Sequence, residues 1–277
     1  MSSAAQNISD IAYTLDHYGD LPSQFVEVIL PEGHARGVVI VIHGGYWRAK
    51  YDAELGLPLA ADLARRGWAA VNLEYRRTES EDPEDAGGWP ATFEDVAAGI
   101  DHARKILPEA YFDLPVFALG HSAGGHLAAW AASRTDFAPG TVGADPVVAL
   151  DGVLSQAGVL DLHQAHELGL SNGAAQLLMG STPEEDPDAW KHADPTRLVP
   201  APVDVVVLHP EADESVPASI AHSYCEAAAA AGGDPRFRAI PGDHLSVVDV
   251  ESRAWQMCLK ELDRLEEAHA SKPRAEG

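Results

Sequence analysis

Two cysteines in 277 residues, Cys225 and Cys258, rule out a framework of several disulfides, and neither stands in a C-x-x-C pair that would hold a metal or a redox couple. Both fall in stretches with helical spacing and read as free, buried thiols, which suits a reducing cytoplasm. Basic charge is scarce too. Nineteen lysines and arginines face 43 acidic residues, for a formal net charge of -24. Nucleic acid and anionic membrane surfaces would repel such a chain, so neither is expected as a partner. A well-solvated surface is the plainest use of the acidity; a salt-adapted source or a cationic partner are the rivals. No apolar run approaches the ~20 residues needed to span a bilayer. The longest, residues 37–42, is the length of a strand. Residues 1–10 have no basic start followed by an apolar core, so no secretory signal is expected there. Internal repeats, low-complexity tracts and an amphipathic basic helix for a lipid surface are all missing.

What is present is an ordinary globular composition, 46% hydrophobic and 22% charged. A chain of this length buries roughly three quarters of its unfolded surface and needs no metal or disulfide to hold it. Strand-like and helix-like stretches alternate, which predicts an α/β fold with a mostly parallel central sheet and helices on both faces. Residues 24–30 alternate like an antiparallel edge strand, and 37–42 (GVVIVI) read as a buried central strand. Further strands are expected at 68–73, 115–119, 147–154, 203–208 and 237–240, with helices at 53–66, 92–107, 123–133, 217–231 and 250–267. Thr92 and Asp95 resemble a capping pair at the start of the second helix. Residues 160–202 break the alternation with short helical pieces and prolines, and read as a cap excursion within one domain spanning 24–267. Residues 1–23 precede that domain as an N-terminal segment, and 268–277 follow it as a polar tail.

Gly120-His121-Ser122-Ala123-Gly124 matches G-x-S-x-G between a strand and a helix, the context this motif requires. The glycines allow a sharp, strained turn that pushes the Ser122 hydroxyl out at a helix N-terminus, where negative charge is favoured. His43-Gly44-Gly45-Tyr46-Trp47 follows the central strand directly, at the place of a loop that supplies N–H groups to an oxyanion. Gly45, Tyr46 and Ala123 are the expected backbone donors. A serine nucleophile needs a base and the base an orienting acid, in chain order serine, acid, histidine. Asp213 stands between a strand and the helix begun at Pro217; Glu211 and Glu214 are the alternatives beside it. His244 follows the last strand and is the base that this order selects from 13 histidines. His126, one helical turn beyond Ser122, reads as a packing or hydrogen-bonding residue. His163, His166 and Glu167 lack a third partner at metal-ligand spacing, so no metal is expected. Trp47 and Trp89 are read either as walls of an aromatic pocket or as core.

The HGGYW loop and the stretch GHSAGGHLA, with NLEYRR, GGWPATFEDV and the Asp213–Pro217 turn, resemble the serine-type kynurenine formamidases (arylformamidases). These belong to the hormone-sensitive-lipase-like branch of the α/β-hydrolases. The likeness runs from about Val26 to Glu261 but is specific only at these motifs. It implies hydrolysis of N-formylkynurenine to kynurenine and formate, a step of tryptophan catabolism, without a cofactor. Carried over by position, Ser122, Asp213 and His244 are the triad, with Gly45, Tyr46 and Ala123 as oxyanion donors and Tyr46 and Trp47 beside a small-molecule substrate. A general short-chain carboxylesterase is the alternative, and a non-catalytic ligand-binding protein a more distant one. A cytoplasmic location is expected, and nothing in the sequence stands against a homodimer.

We expect Ser122→Ala to abolish labelling by a fluorophosphonate probe and to leave only the residual rate that binding and the oxyanion donors supply. Equal labelling of the variant and the native protein would remove Ser122 from the nucleophile's role.

Overall fold

The computed structural model describes residues 12–271. The expected absence of a signal in residues 1–10 and the far end of the tail lie outside these. Eight strands form one sheet: β1 (Thr14–His17), β2 (Phe25–Ile29), β3 (Val38–Ile42), β4 (Ala69–Leu73), β5 (Val116–His121), β6 (Gly152–Gln156), β7 (Asp204–Pro210) and β8 (Arg236–Ile240). Their order across the sheet is β1-β2-β4-β3-β5-β6-β7-β8. β2 runs antiparallel to β1 and β4; every other pairing is parallel.

Successive residues of a strand point to opposite faces, and here both faces are apolar. Val38, Ile40 and Ile42 of β3 enter one core with Phe93, Ile100, Leu127 and Ile220. Val39 and Val41 enter the other with Leu59, Leu63, Trp255 and Leu262. The first core is covered by α2 (Ala91–Ile106), α3 (Ala123–Ala132) and α7 (Ala218–Ala230), the second by α1 (Leu57–Arg65) and α8 (Arg253–Ser271). Continuous β-branched runs were therefore strands buried on both sides. The α/β-hydrolase architecture expected from the sequence is the one observed.

Four local readings need correction. β1 lies in the segment placed before the domain; its short, polar TLDH gives no apolar alternation, yet it pairs with β2 at the sheet edge. The strand expected over 147–154 begins only at Gly152, because Gly152 is the residue in register with Phe117 of β5; Val147 is 67% exposed. Thr92 and Asp95 do not cap α2. The Thr92 hydroxyl donates to the Arg76 carbonyl at 2.6 Å, and Asp95 binds the Arg76 guanidinium at 2.7 Å. The last helix begins at Arg253 and runs to Ser271, into the stretch read as tail. Of the two free thiols, Cys258 is buried and Cys225 half-buried.

The excursion after β6 carries α4 (Leu162–Glu167), α5 (Leu170–Met179) and α6 (Pro187–Ala193). Asp161 and Asp186 cap α4 and α6 by accepting from the N–H groups of Gln164 and Ala189. Hydrogen bonds tie these helices to the body. His126 Nε2 donates to the Ala193 carbonyl at 2.8 Å, Trp130 Nε1 to His192 at 3.1 Å, and the Trp89 N–H to Leu178 at 2.7 Å.

α3 lies against the sheet because its first residues are small. A Cβ at Gly124 would collide with the carbonyl oxygens of Ile42 and His43, and one at Gly120 with the backbone of Gly124. We expect Gly124→Ala to lower stability by about 1–3 kcal/mol in urea unfolding, the usual cost of overpacking. An unchanged midpoint at unchanged slope would refute this contact.

Candidate active site

The parallel strands end at one edge. Ile42 pairs with Gly120, His121 with Gln156, Gln156 with Leu208, and Pro210 with Ile240. The turns after β3, β5, β7 and β8 therefore open side by side. β3 has β4 on one side and β5 on the other, so the chain switches direction between them, where open α/β sheets form a crevice. His43–Trp47 and Ser122 leave the sheet at that point.

Ser122 has φ 55° and ψ -117°, a conformation that costs about 1–3 kcal/mol for a residue with a side chain. Its N–H donates to the Gln156 carbonyl at 2.8 Å, and its carbonyl accepts from His126 at 3.2 Å and Val159 at 3.3 Å. Those bonds hold the turn from β6 and from α3, the helix that Ser122 begins. Ala123, the first residue of α3, is fully buried beneath it.

His244 and Asp213 meet as expected, with Nδ1 of the histidine 2.8 Å from a carboxylate oxygen of Asp213. The other oxygen of Asp213 accepts from the N–H groups of Ser215 at 2.8 Å and Val216 at 2.9 Å. Burial alone would raise the Asp213 carboxyl. The hydrogen bond from His244 and the two backbone donors outweigh it and hold the group below the usual carboxylate range. With Nδ1 taken, Nε2 is the His244 nitrogen left to face a substrate or hydroxyl. The alternatives for the acid, Glu211 and Glu214, are both exposed. Asp243, beside His244 in the chain, caps its own turn through Leu245 and Ser246.

The loop after β3 holds three successive positive φ values: Gly45 115°, Tyr46 51° and Trp47 58°. Gly45 also lies against Tyr51, whose Cβ would stand 2.6 Å from a Cβ at that position. The Tyr46 hydroxyl donates to the Ser215 carbonyl at 2.5 Å, joining this loop to the turn that carries Asp213. Burial first, then the nearby Asp213 charge, pushes the phenol up to about 12, so it remains a donor. Trp47 does not line the site. It is 1% exposed and packs edge-on against His126 at 5.1 Å, because the left-handed turn aims its ring into the core. Trp89 is half-buried against Phe93 and His192.

A buried network behind this loop escaped the sequence reading. Glu74 stands one residue past β4 and is 1% exposed. It meets His43 Nε2 at 3.0 Å, accepts from the N–H groups of Ala53 and Tyr75 at 2.8 Å each, and pairs with Arg77 at 3.3 Å. His43 Nδ1 engages the Gly44 carbonyl at 2.8 Å, and the Tyr75 ring stacks on the imidazole at 4.5 Å while its hydroxyl donates to the His43 carbonyl. Burial would raise the Glu74 carboxyl; His43, then Arg77, bring it below its ordinary range. The available signal was a carboxylate set directly after a strand that is apolar but for Asn72.

His126 packs between Trp47 and Phe93, as its place one turn along the helix implied. His163 Nδ1 meets the buried Asp194 at 2.5 Å, and His166 packs on Trp190. Among the described residues no group of three metal-ligating side chains occurs, and no helix is long and apolar enough to cross a membrane.

Comparison with known proteins places the chain in a family. Residues 26–227 match the BD-FAE family. The chain belongs to that family. Esterase LipC of Mycobacterium tuberculosis is 27% identical over 221 residues, covering 76% of this chain and 53% of LipC, so the chain spans about half that relative's length. A truncated carbohydrate esterase from gut microbiota superposes with a TM-score of 0.74 at 22% identity, covering 92% of this chain and 96% of the other. The Thermogutta terrifontis esterase Est2, also solved with butyrate bound, gives 0.72 at 22% identity and 95% coverage of each chain. At such identities the structural likeness speaks for the fold, and membership of the BD-FAE family rests on the sequence match.

We expect Asp213→Asn to lower kcat by about 10⁴, the loss that follows when an orienting carboxylate leaves its histidine in the wrong tautomer. Glu211→Gln and Asp243→Asn should stay near native rates. A large loss from either control beside a mild one from Asp213→Asn would reassign the acid.

Proposed function

We propose that this protein is a serine carboxylesterase acting on small esters with short acyl chains. The observation that carries the reading is the Asp213–His244 pair, 2.8 Å apart, at the sheet edge where the strained Ser122 turn emerges. Ser122 Oγ attacks the ester carbonyl as His244 Nε2 takes its proton. Asp213 holds the resulting imidazolium at Nδ1. The developing oxyanion is met by the N–H groups of Gly45, Tyr46 and Ala123, each such donor being worth about 10²–10³ in rate. His244 then returns its proton to the leaving alcohol, and water repeats the sequence to release the acid and free Ser122. No metal or cofactor takes part in these steps.

The choice of ester over formamide is supported by the relatives. LipC is named an esterase, as are the carbohydrate esterase and Est2, one structure of which holds butyrate. The formamidase reading rests on the HGGYW and GHSAG motifs, which specify acyl transfer and leave the acyl group open. It also placed Trp47 beside the substrate, and that ring is in the core. Tyr46 alone of the two aromatics borders the site, which removes half of the aromatic wall proposed for a kynurenine ring.

The two readings give opposite slopes in one series of p-nitrophenyl esters, from formyl through acetyl to butyryl, each rate divided by its uncatalysed rate. An esterase gains about 0.8 kcal/mol, roughly fourfold, for each methylene it buries. A site shaped for formyl loses about 1–3 kcal/mol for each that it must overpack. We expect kcat/KM to rise from formyl to butyryl and N-formylkynurenine to be a poor substrate. A corrected slope falling steeply from formyl, with N-formylkynurenine turned over well, would restore the formamidase assignment.

A further inference from the structure

His121, the residue before Ser122, serves no step of the mechanism above, yet its side chain is fixed in the site. Its Nε2 lies 2.9 Å from the main-chain carbonyl of His244, and the two rings stand 4.7 Å apart at 49°. A carbonyl can only accept, so Nε2 carries the proton and donates. Nδ1 is then the bare nitrogen; it is buried and has no hydrogen-bond partner. It faces Gly44, where a Cβ would stand 2.8 Å from it and 3.0 Å from Ser122 Cβ. The first glycine of the HGGYW loop thus makes the space this ring occupies.

We propose that His121 is a positioning residue for the base: its Nε2–H holds the His244 main chain in register with Ser122. The inference rests on the serine-hydrolase reading. His244 sits in a turn whose neighbours Asp243 and Leu245 are exposed, Leu245 by 59%. Asp213 grips the ring at one point, Nδ1; the turn's own bonds run through Gly242, Asp243 and Ser246, and it is His121 that takes the His244 carbonyl. His121 supplies the second point of support. It comes from the end of β5, one bond before the nucleophile, so base and nucleophile are referenced to the same strand. An error of about 1 Å between them would cost about 10² in rate.

The ring must also stay uncharged when His244 becomes an imidazolium. Burial, then the His244 charge, pushes His121 down to about 3; Asp213 and His43 are the other charged or titratable groups that act on it. A second proton would go to Nδ1, against the Gly44 backbone, where no acceptor waits. The proton on Nε2 and the bond to His244 therefore persist through the catalytic cycle.

Glutamine and methionine are close in shape and differ at the end of the chain, where only the amide can donate. The test compares His121→Gln with His121→Met on p-nitrophenyl acetate, with thermal unfolding of both. We expect equal melting temperatures, kcat lowered at least about tenfold in the methionine variant with KM within about twofold, and most of that loss recovered in the glutamine variant. If methionine at this place prevents folding, His121→Leu takes its place as the non-donor beside His121→Gln, whose amide reaches the position of Nε2. Equal kcat in donor and non-donor variants, or a loss confined to KM, overturns the proposal. Undiminished esterase activity in Ser122→Ala would instead overturn the serine-hydrolase reading, and this inference with it.

Discussion

The serine turn at φ 55° constrains the rest of the site. A residue in that conformation needs a strand ending behind it, a helix starting ahead of it, and nothing larger than hydrogen at Gly120 and Gly124. Those demands set the distance between α3 and the sheet, since Gly124 lies against the carbonyls that end β3. The strain is opposed by bonds from outside the turn, Ser122 to Gln156 on β6 and Val159 back to Ser122. β6 therefore offers no candidate reacting group yet holds the Ser122 turn in place. This is the division of labour expected where backbone strain persists: the surroundings over-determine it.

The loop after β3 meets the same problem with different means. Three consecutive left-handed residues could not keep their shape alone. Glu74 fixes the start of the loop through His43, Tyr46 ties its middle to Ser215, and Arg48 ties its end to the Ser171 carbonyl of α5 at 2.8 Å and to Glu79. A buried polar contact such as His43–Glu74 adds little net stability, because desolvation cancels most of the attraction. Its value here is geometric. It specifies one conformation for the loop whose N–H groups are proposed to meet the oxyanion.

The parts legible in the sequence were those that depend on near neighbours along the chain. β3, β5 and β7 showed as apolar runs because both of their faces are covered, and the two glycine motifs showed because a tight turn is a local event. Asp213 and His244 were selected by chain order, and the structure sets them 2.8 Å apart. What stayed hidden depends on distant partners. β1 is polar and is a strand only because β2 offers it an edge. Residues 147–151 are as apolar as a strand but have no neighbour in register. The direction of the Trp47 ring follows from backbone angles that the letters HGGYW do not display. Glu74 finds its partners at His43 and Ala53, far off in the chain, and the Tyr46–Ser215 bond joins residues 169 positions apart.

Chemistry and substrate choice are also carried by different parts of the chain. Every group assigned to acyl transfer lies on a turn at the end of a parallel strand, where the sheet fixes it. The elements that lie over those turns, α4 to α6, are held by hydrogen bonds to backbone carbonyls at Ala193, His192, Leu178 and Ser171. Those bonds fix the path of the excursion, and Leu162, Leu178 and Trp190 anchor it in the core, while Leu168 and Leu177 stay exposed. Exposed residues there can be exchanged without disturbing the turns that carry Ser122, Asp213 and His244, so on the proposed esterase reading substrate preference can drift while the reaction stays the same. The sequence motifs of this chain identify its reaction more sharply than its substrate for that reason. The strand ends carry the reaction, and the motifs are what the strand ends require.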